Sequence, residues 1–254
     1  MKIYAVAVER FTVRYQYIVD HIKSVSDCHL DVVGVDGYKI DSERYSSFLS
    51  PGQIGCALSH AKACNLIASG GDKCGLIVED DVVLPKNIDS ILSELEKVIN
   101  DDEIIFLYNR NIISAKYSSC GQSYFDQTHK LIYPLSMKDV RTAAAYVVGR
   151  KAAKKISSYN HDAKTVADDW HQLYLNGYFS KPRLLYPNLV SMKGFSSTIG
   201  CSESDSVIVR LGKRILSGRL FQIVRMLRLR AILRSKENNH TFVSEKSVLN
   251  MSEY

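Results

Sequence analysis

"GLIVEDDVVL", residues 75–84, runs from four mostly apolar positions into three consecutive carboxylates, Glu79, Asp80 and Asp81, and then into a second apolar run. A short apolar run with a polar break reads as a buried strand, so the carboxylates fall where that strand ends. In an open α/β sheet, ligands gather at the carboxyl ends of the strands. A solvated turn or a helix cap accounts for a lone acidic pair. Three carboxylates in a row repel one another and call for a cation. Hard ions such as Mg²⁺ or Mn²⁺ take oxygen ligands from carboxylates and substrate phosphates. Residues two apart in extended chain project to the same side, which joins Glu79 with Asp81. Because such ions keep one or two protein carboxylates and fill their other positions with water and phosphate, the pattern points to a diphosphate-bearing substrate.

Outward from this stretch, strands and helices alternate. Upstream, "KIYAVAVERF" (2–11) reads as a first strand, and "LDVVGVDGYKID" (30–41) as a second with an Asp-Gly turn. "LSPGQIGCALSHAKACNLIASGG" (49–71) carries helix signals in order: Ser50 as N-cap, Pro51 at the first helical position, Gln53 completing a capping box, and Gly70 and Gly71 as the stop. Ile54, Ala57, Ala61, Cys64 and Ala68 give that helix a narrow face of mostly small residues. Downstream, "NIDSILSELEKVI" (87–99) places Ile88, Ile91, Leu92, Leu95 and Val98 on one helical face. "EIIFLY" (103–108) is a strand, and "RTAAAYVVGRKAAKKISSY" (141–159) a strand joined through Gly149 to a helix. This alternation over residues 1–190 predicts an α/β domain with a mostly parallel central sheet.

A chain of 254 residues with 46% apolar content can bury a large core. No stretch approaches the roughly 18–20 consecutive apolar residues of a membrane span. The segment "IYAVAV" meets Glu9 and Arg10 too soon to form a signal-peptide core, so a cytoplasmic location is the default expectation. The six cysteines, Cys28, Cys56, Cys64, Cys74, Cys120 and Cys201, are scattered without C-x-x-C spacing. They read as reduced thiols that fill the core, not as a zinc site or a disulfide framework. The net charge of +6 is unevenly placed: between Asp205 and Glu237 there are nine basic residues and no acidic one. Removing those nine from the 33 leaves 24 basic against 27 acidic residues, so the basicity belongs to a tail. The predicted organisation is a domain over 1–204, a basic amphipathic helical segment over 205–236 and a poorly ordered tail over 237–254.

The sequence has no "GxxxxGK[ST]" and no post-strand "GxGxxG", which argues against ATPase and dinucleotide-binding readings. A nucleotide-sugar transferase or a metal-dependent hydrolase remains. "PGQIGCALSHAKAC" (51–64), then "LIVEDDVVL" (76–84), "AAAYVVGRKAAKKI" (143–156) and "VADDW" (166–170) together resemble glycosyltransferase family 25, the bacterial lipooligosaccharide galactosyltransferases and their relatives. The resemblance covers residues 1–200 and is most specific in the "GCALSH" and "EDD" blocks. It implies a GT-A fold, a UDP-sugar donor that is commonly UDP-galactose, a divalent metal (Mn²⁺ or Mg²⁺) and inversion at the anomeric carbon. Carried over residue by residue, Glu79, Asp80 and Asp81 match the acidic metal and diphosphate motif, with Asp81, then Glu79, as metal ligands. Gly55, Cys56, Ser59 and His60 match the block near the donor, and Arg10 and Arg14 the segment that receives the nucleotide. The family often shows a glutamine after its P-x-L-V segment, where "YPNLVSMKGFSS" (186–197) has Ser191 and Met192.

Inverting transfer needs a general base for the acceptor hydroxyl. The candidates are Asp168, preferred, and Asp169; both precede the predicted helix "DDWHQLYLNG", for which Asp168 is equally an N-cap. Trp170 either packs or stacks on a sugar ring, and His60, inside a helix, reads as donor-side support. In the tail, Ile208, Leu211 and Ile215 oppose Arg210, Lys213 and Arg214, the pattern of a basic amphipathic helix on an anionic bilayer. The expected partners are a UDP-sugar, a glycolipid or oligosaccharide acceptor of the lipopolysaccharide core, and the inner face of the cytoplasmic membrane, reached through residues 207–236. Charge alone permits nucleic acid, but no interleaved aromatics or recognisable module support it. The competing functions are a metal-dependent phosphoesterase using the same carboxylates and a non-enzymatic, membrane-associated adaptor.

Overall fold

The computed structural model describes residues 1–41, 44–45 and 48–195, with the backbone of 242–243. The predicted basic segment 205–236, and the predicted tail apart from those two residues, lie outside the described residues. In chain order the elements are β1 (Lys2–Val6), α1 (Thr12–Val25), β2 (Leu30–Val33), α2 (Pro51–Ser69), β3 (Cys74–Glu79), β4 (Val82–Val83), α3 (Ile88–Val98), β5 (Glu103–Phe106), β6 (Tyr117–Ser118), β7 (Ser123–Tyr124) and β8 (Lys130–Ile132). β9 (Ala145–Gly149), α4 (Arg150–Asn160), α5 (Trp170–Leu175), β10 (Ser180–Tyr186), β11 (Ser191–Met192) and β12 (Phe242–Val243) follow.

The main sheet has the order β2-β1-β3-β9-β5-β10-β8-β7. β2, β1, β3, β5 and β10 run the same way, and β9 is inserted antiparallel between β3 and β5. Side chains alternate across this sheet, as the pleat requires. Tyr4, Val6, Ile77, Phe106, Tyr146 and Val148 enter one core, which α2, α4 and α5 cover. Ile3, Ala5, Leu76, Val78, Ile105 and Val147 enter the other, under α1 and α3. The architecture is α/β in three layers.

α2 starts as its sequence requires, with the Ser50 side chain accepting from Gln53 N, the reciprocal Gln53 contact closing the capping box, and Pro51 at the first position. Its buried surface is wider than the predicted narrow face. Gly55, Ser59, His60, Ala63 and Ile67 are buried as well, because the helix is wedged between the sheet and α4. On α3 the predicted stripe holds for Ile88, Ile91, Leu92 and Leu95, whereas Val98 is exposed and Ile99 takes the buried place. α1 carries no sequence signal of this kind. Phe11 holds its cap position without a side-chain cap bond, its first turn has no acidic residue, and only Ile18 and Ile22 are buried.

Two details of the sheet create the site. The parallel register pairs Val6 with Glu79, so β1 and β3 end level. Because β9 is reversed, its N-terminal side arrives at the same edge, where Glu79 N donates to Ala144 O at 2.8 Å. The carboxyl ends of β1 and β3 therefore face the chain that leads into β9.

Candidate active site

A cavity of about 320 Å³ opens at this edge. Arg10, Arg14, Gly55, Ser59, all three residues of the acidic triplet, and Asp168 line it. Two predicted residues do not: His60 lies buried behind the wall, and Asp169 faces elsewhere.

The triplet is divided by Arg14. Its guanidinium hydrogen-bonds Asp80 Oδ1 and lies 3.1 Å from Asp81 Oδ2, with the Arg14 side chain only 11% exposed. Burial alone would lower the Arg14 pKa, but the hydrogen bond and charge of Asp80, together with Asp81, raise it instead. Arg14 is thus a permanent cation for the triplet. Asp81 remains over-supplied with negative charge. Burial first, then Glu79, push its pKa up against the pull of Arg14, and its Oδ1 is buried without a hydrogen-bond partner.

The "GCALSH" block works largely by shaping the wall. Ser59 Oγ donates to Gly55 O at 2.7 Å and accepts from Val35 N at 2.9 Å, which ties the loop after β2 to α2. A Cβ on Gly55 would lie 2.7 Å from both Val35 O and Gly37 N, so only glycine permits that approach. The loop thereby delivers Asp36 and Tyr38 to the cavity. Arg10 stacks over the Phe11 and Tyr38 rings, 4.7 and 4.6 Å from their centroids. It also pairs with Asp36 Oδ1 at 3.3 Å, while Asp36 Oδ2 is buried without a hydrogen-bond partner. In sequence, Asp36 looked like an ordinary turn residue, and no signal marked it for a site.

Asp168 stands on the β9 side of the cavity. Its Oδ2 accepts from Thr142 N at 3.1 Å, and Trp170 Nε1 donates to Thr142 O at 3.1 Å. The two bonds hold Thr142 at φ 79°, a conformation that β-branched residues avoid, directly in the cavity wall. The helix cap is Asp169, not Asp168: Asp169 accepts from Gln172 N and from Thr165 Oγ1. Trp170 is 1% exposed and meets Phe106 and Tyr146 edge-on at 4.9 and 5.0 Å, so it packs in the core. Replacing Asp169 by Ala is expected to cost about 1 kcal/mol through loss of the cap. A melting temperature lowered by about 2–4 °C with catalytic turnover retained is the expected readout.

The far wall comes from the chain after β10. β11 pairs with β4, Lys193 N donates to Asp81 O at 2.7 Å, and Met192 and Phe195 close over the triplet. Met192 is therefore a cavity residue. The five cysteines among the described residues are free thiols. Cys64 and Cys74 are buried, and burial pushes the pKa of each up to about 12. Cys56 borders the cavity, where burial and then the charges of Glu79, Asp168 and Asp80 push its thiol pKa up. All three carboxylates thus act on one point of the wall.

Compared with known proteins, residues 36–171, just over half of the chain, match the family described as Glycosyltransferase family 25 (LPS biosynthesis protein). No curated protein matches the chain.

Proposed function

The chain belongs to glycosyltransferase family 25 and is a glycosyltransferase, and from that premise we propose that it transfers a hexose, galactose in our reading, from a UDP-sugar to a sugar of the lipopolysaccharide core with inversion. The observation that carries the proposal is the meeting of Glu79, Asp81 and Asp168 on the walls of one cavity at the carboxyl edge of the sheet. We assign the domain a GT-A architecture. The mixed sheet and the acidic turn after β3 support that assignment.

The residues fit a divalent ion. Asp81 keeps a buried oxygen without a partner, and Glu79 is near enough to raise its pKa. Asp81, with Glu79 beside it, would hold Mn²⁺ or Mg²⁺, and such an ion, when bound, stabilises negative charge on a leaving diphosphate. The remaining work falls to the chain. Tyr38 and Arg10 offer stacking faces for the base, and Asp36 Oδ2 accepts from a hydroxyl or N–H of the nucleoside. Arg14 keeps the acidic turn folded against its own repulsion. Asp168 takes the proton of the acceptor hydroxyl. The acceptor oxygen bonds to the anomeric carbon as the bond from that carbon to the phosphate oxygen breaks, and the electron pair leaves with UDP.

UDP release from a panel of UDP-sugars, with Mn²⁺ and with a chelator, tests the donor and the metal. The anomeric configuration of the product, read by NMR, tests inversion. A β-linked product from an α-linked donor is expected; retention, or no UDP release from any donor, would contradict the reading. In the same assay Asp36→Ala raises KM for the donor. Among the described residues no helix is long and apolar enough to cross a membrane. We further propose that the basic segment 207–236 holds the enzyme on the anionic inner face of the cytoplasmic membrane. Flotation with anionic liposomes would refute this if a truncation at 205 partitions like the full chain.

A further inference from the structure

Cys56 and His60 are four residues apart on α2, which sets them on one helical face. Glu79 ends β3 directly beside that face. One ligand atom from each of Cys56, His60 and Glu79 lies within 4.8 Å of the other two. His60 Nε2 is already 3.6 Å from Glu79 Oε1, close to the spacing of two ligands on one small ion and too long for a hydrogen bond.

His60 is enclosed in the core. It is 3% exposed, and its Nε2 is buried without a hydrogen-bond partner. A buried polar atom left unpaired opposes folding, and a ligand on it removes that cost. Its other nitrogen, Nδ1, lies 3.0 Å from Tyr146 Oη. Metal-binding histidines carry this kind of outer partner on the second ring nitrogen, which fixes the tautomer and aims the lone pair. In the tautomer whose Nδ1–H donates to Tyr146 Oη, Nε2 keeps its lone pair beside Cys56 and Glu79.

The donor set is one sulfur, one nitrogen and one oxygen. A thiolate favours zinc-like ions over Mg²⁺. Three protein ligands with an open fourth position are the arrangement of sites that admit water or substrate. Cys56 and Glu79 line the cavity, so the open side faces it. We propose that Cys56, His60 and Glu79 form a site for a thiophilic divalent cation of the Zn²⁺ class, separate from the cation position at Asp81. Binding exchanges the Cys56 thiol proton, released to water, for the metal–sulfur bond. Glu79 is common to both positions, whereas Asp81 belongs to one and Cys56 and His60 to the other, so substitutions separate them.

Titrating the metal-free full chain with Co²⁺ tests this directly and does not depend on sugar transfer. A near-ultraviolet thiolate-to-cobalt charge-transfer band at one equivalent is expected, removed by stoichiometric Zn²⁺ and untouched by excess Mg²⁺. Cys56→Ser abolishes the band, and Tyr146→Phe, which frees the outer nitrogen of His60, weakens Co²⁺ binding by about 10- to 100-fold. Asp81→Asn leaves the band in place. Circular dichroism verifies that the Cys56→Ser chain is folded. No band in the unsubstituted chain, a band that survives Cys56→Ser, or displacement by Mg²⁺ would overturn the site and leave His60 as an ion-pair partner of Glu79.

Discussion

Asp168→Asn is expected to lower the turnover of sugar transfer by about 10²- to 10⁴-fold, the usual contribution of a positioned general base. The measurement is UDP release at saturating donor and acceptor. The substitution is chosen because of Thr142. Asp168 Oδ2 accepts from Thr142 N, and Thr142 sits at φ 79° in the cavity wall. An asparagine carbonyl can still accept that bond, so the wall keeps its shape while the proton acceptor is lost. UDP affinity should therefore stay at the wild-type value. Full turnover in Asp168→Asn would remove it as the base.

The second large effect is on stability. Arg14 is the counter-charge of both Asp80 and Asp81, with side-chain exposures of 11%, 11% and 17% for the three. Arg14→Met leaves two carboxylates of a mostly buried turn without their cation, beside Glu79. Breaking a buried pair by removing one partner costs about 3–5 kcal/mol. For a domain of this size the melting temperature falls by roughly 10 °C. Adding Asp80→Asn to Arg14→Met should recover part of the loss, because it removes one stranded charge. A melting temperature for Arg14→Met equal to wild type would show that solvent, not Arg14, neutralises the turn.

These two residues also mark the limits of what the sequence made legible. Strand β3 and its acidic end could be read because the apolar run, the charge break and the strand length agree. α2 could be read because its capping box and proline are local chemistry. α1, which carries Arg14, could not, since neither a cap nor an acidic first turn announces it. The choice between Asp168 and Asp169 was beyond local pattern too. Either aspartate can cap a helix that starts one residue later, and only the hydrogen bonds to Gln172 N and Thr142 N separate cap from cavity residue. Strand direction was hidden for a different reason. "AAAYVVGRKAA" looks like any strand-to-helix unit, and the reversal of β9 depends on the long connection between β5 and β9, not on its own residues.

Asp36 was invisible because an Asp-Gly pair is an ordinary turn signal. Its role follows from contacts distant in sequence: Ser59 ties the loop to α2, and Gly55 lets it approach. The small residues of the "GCALSH" block thus matter through the loop they position.

The cavity's central assignment, a nucleotide diphosphate held with a divalent ion at Asp81, is tested most directly by calorimetric titration of UDP into the full chain with Mn²⁺ present and with it chelated. Saturable, Mn²⁺-dependent binding is predicted, lost in Asp81→Asn although that chain melts no lower than wild type. The sign follows from Asp81 itself. Burial and Glu79 raise its carboxyl pKa, so its ionised form costs folding free energy above that pKa, and a neutral amide removes the cost. UDP binding that is equally tight with the metal chelated and in Asp81→Asn would contradict the account.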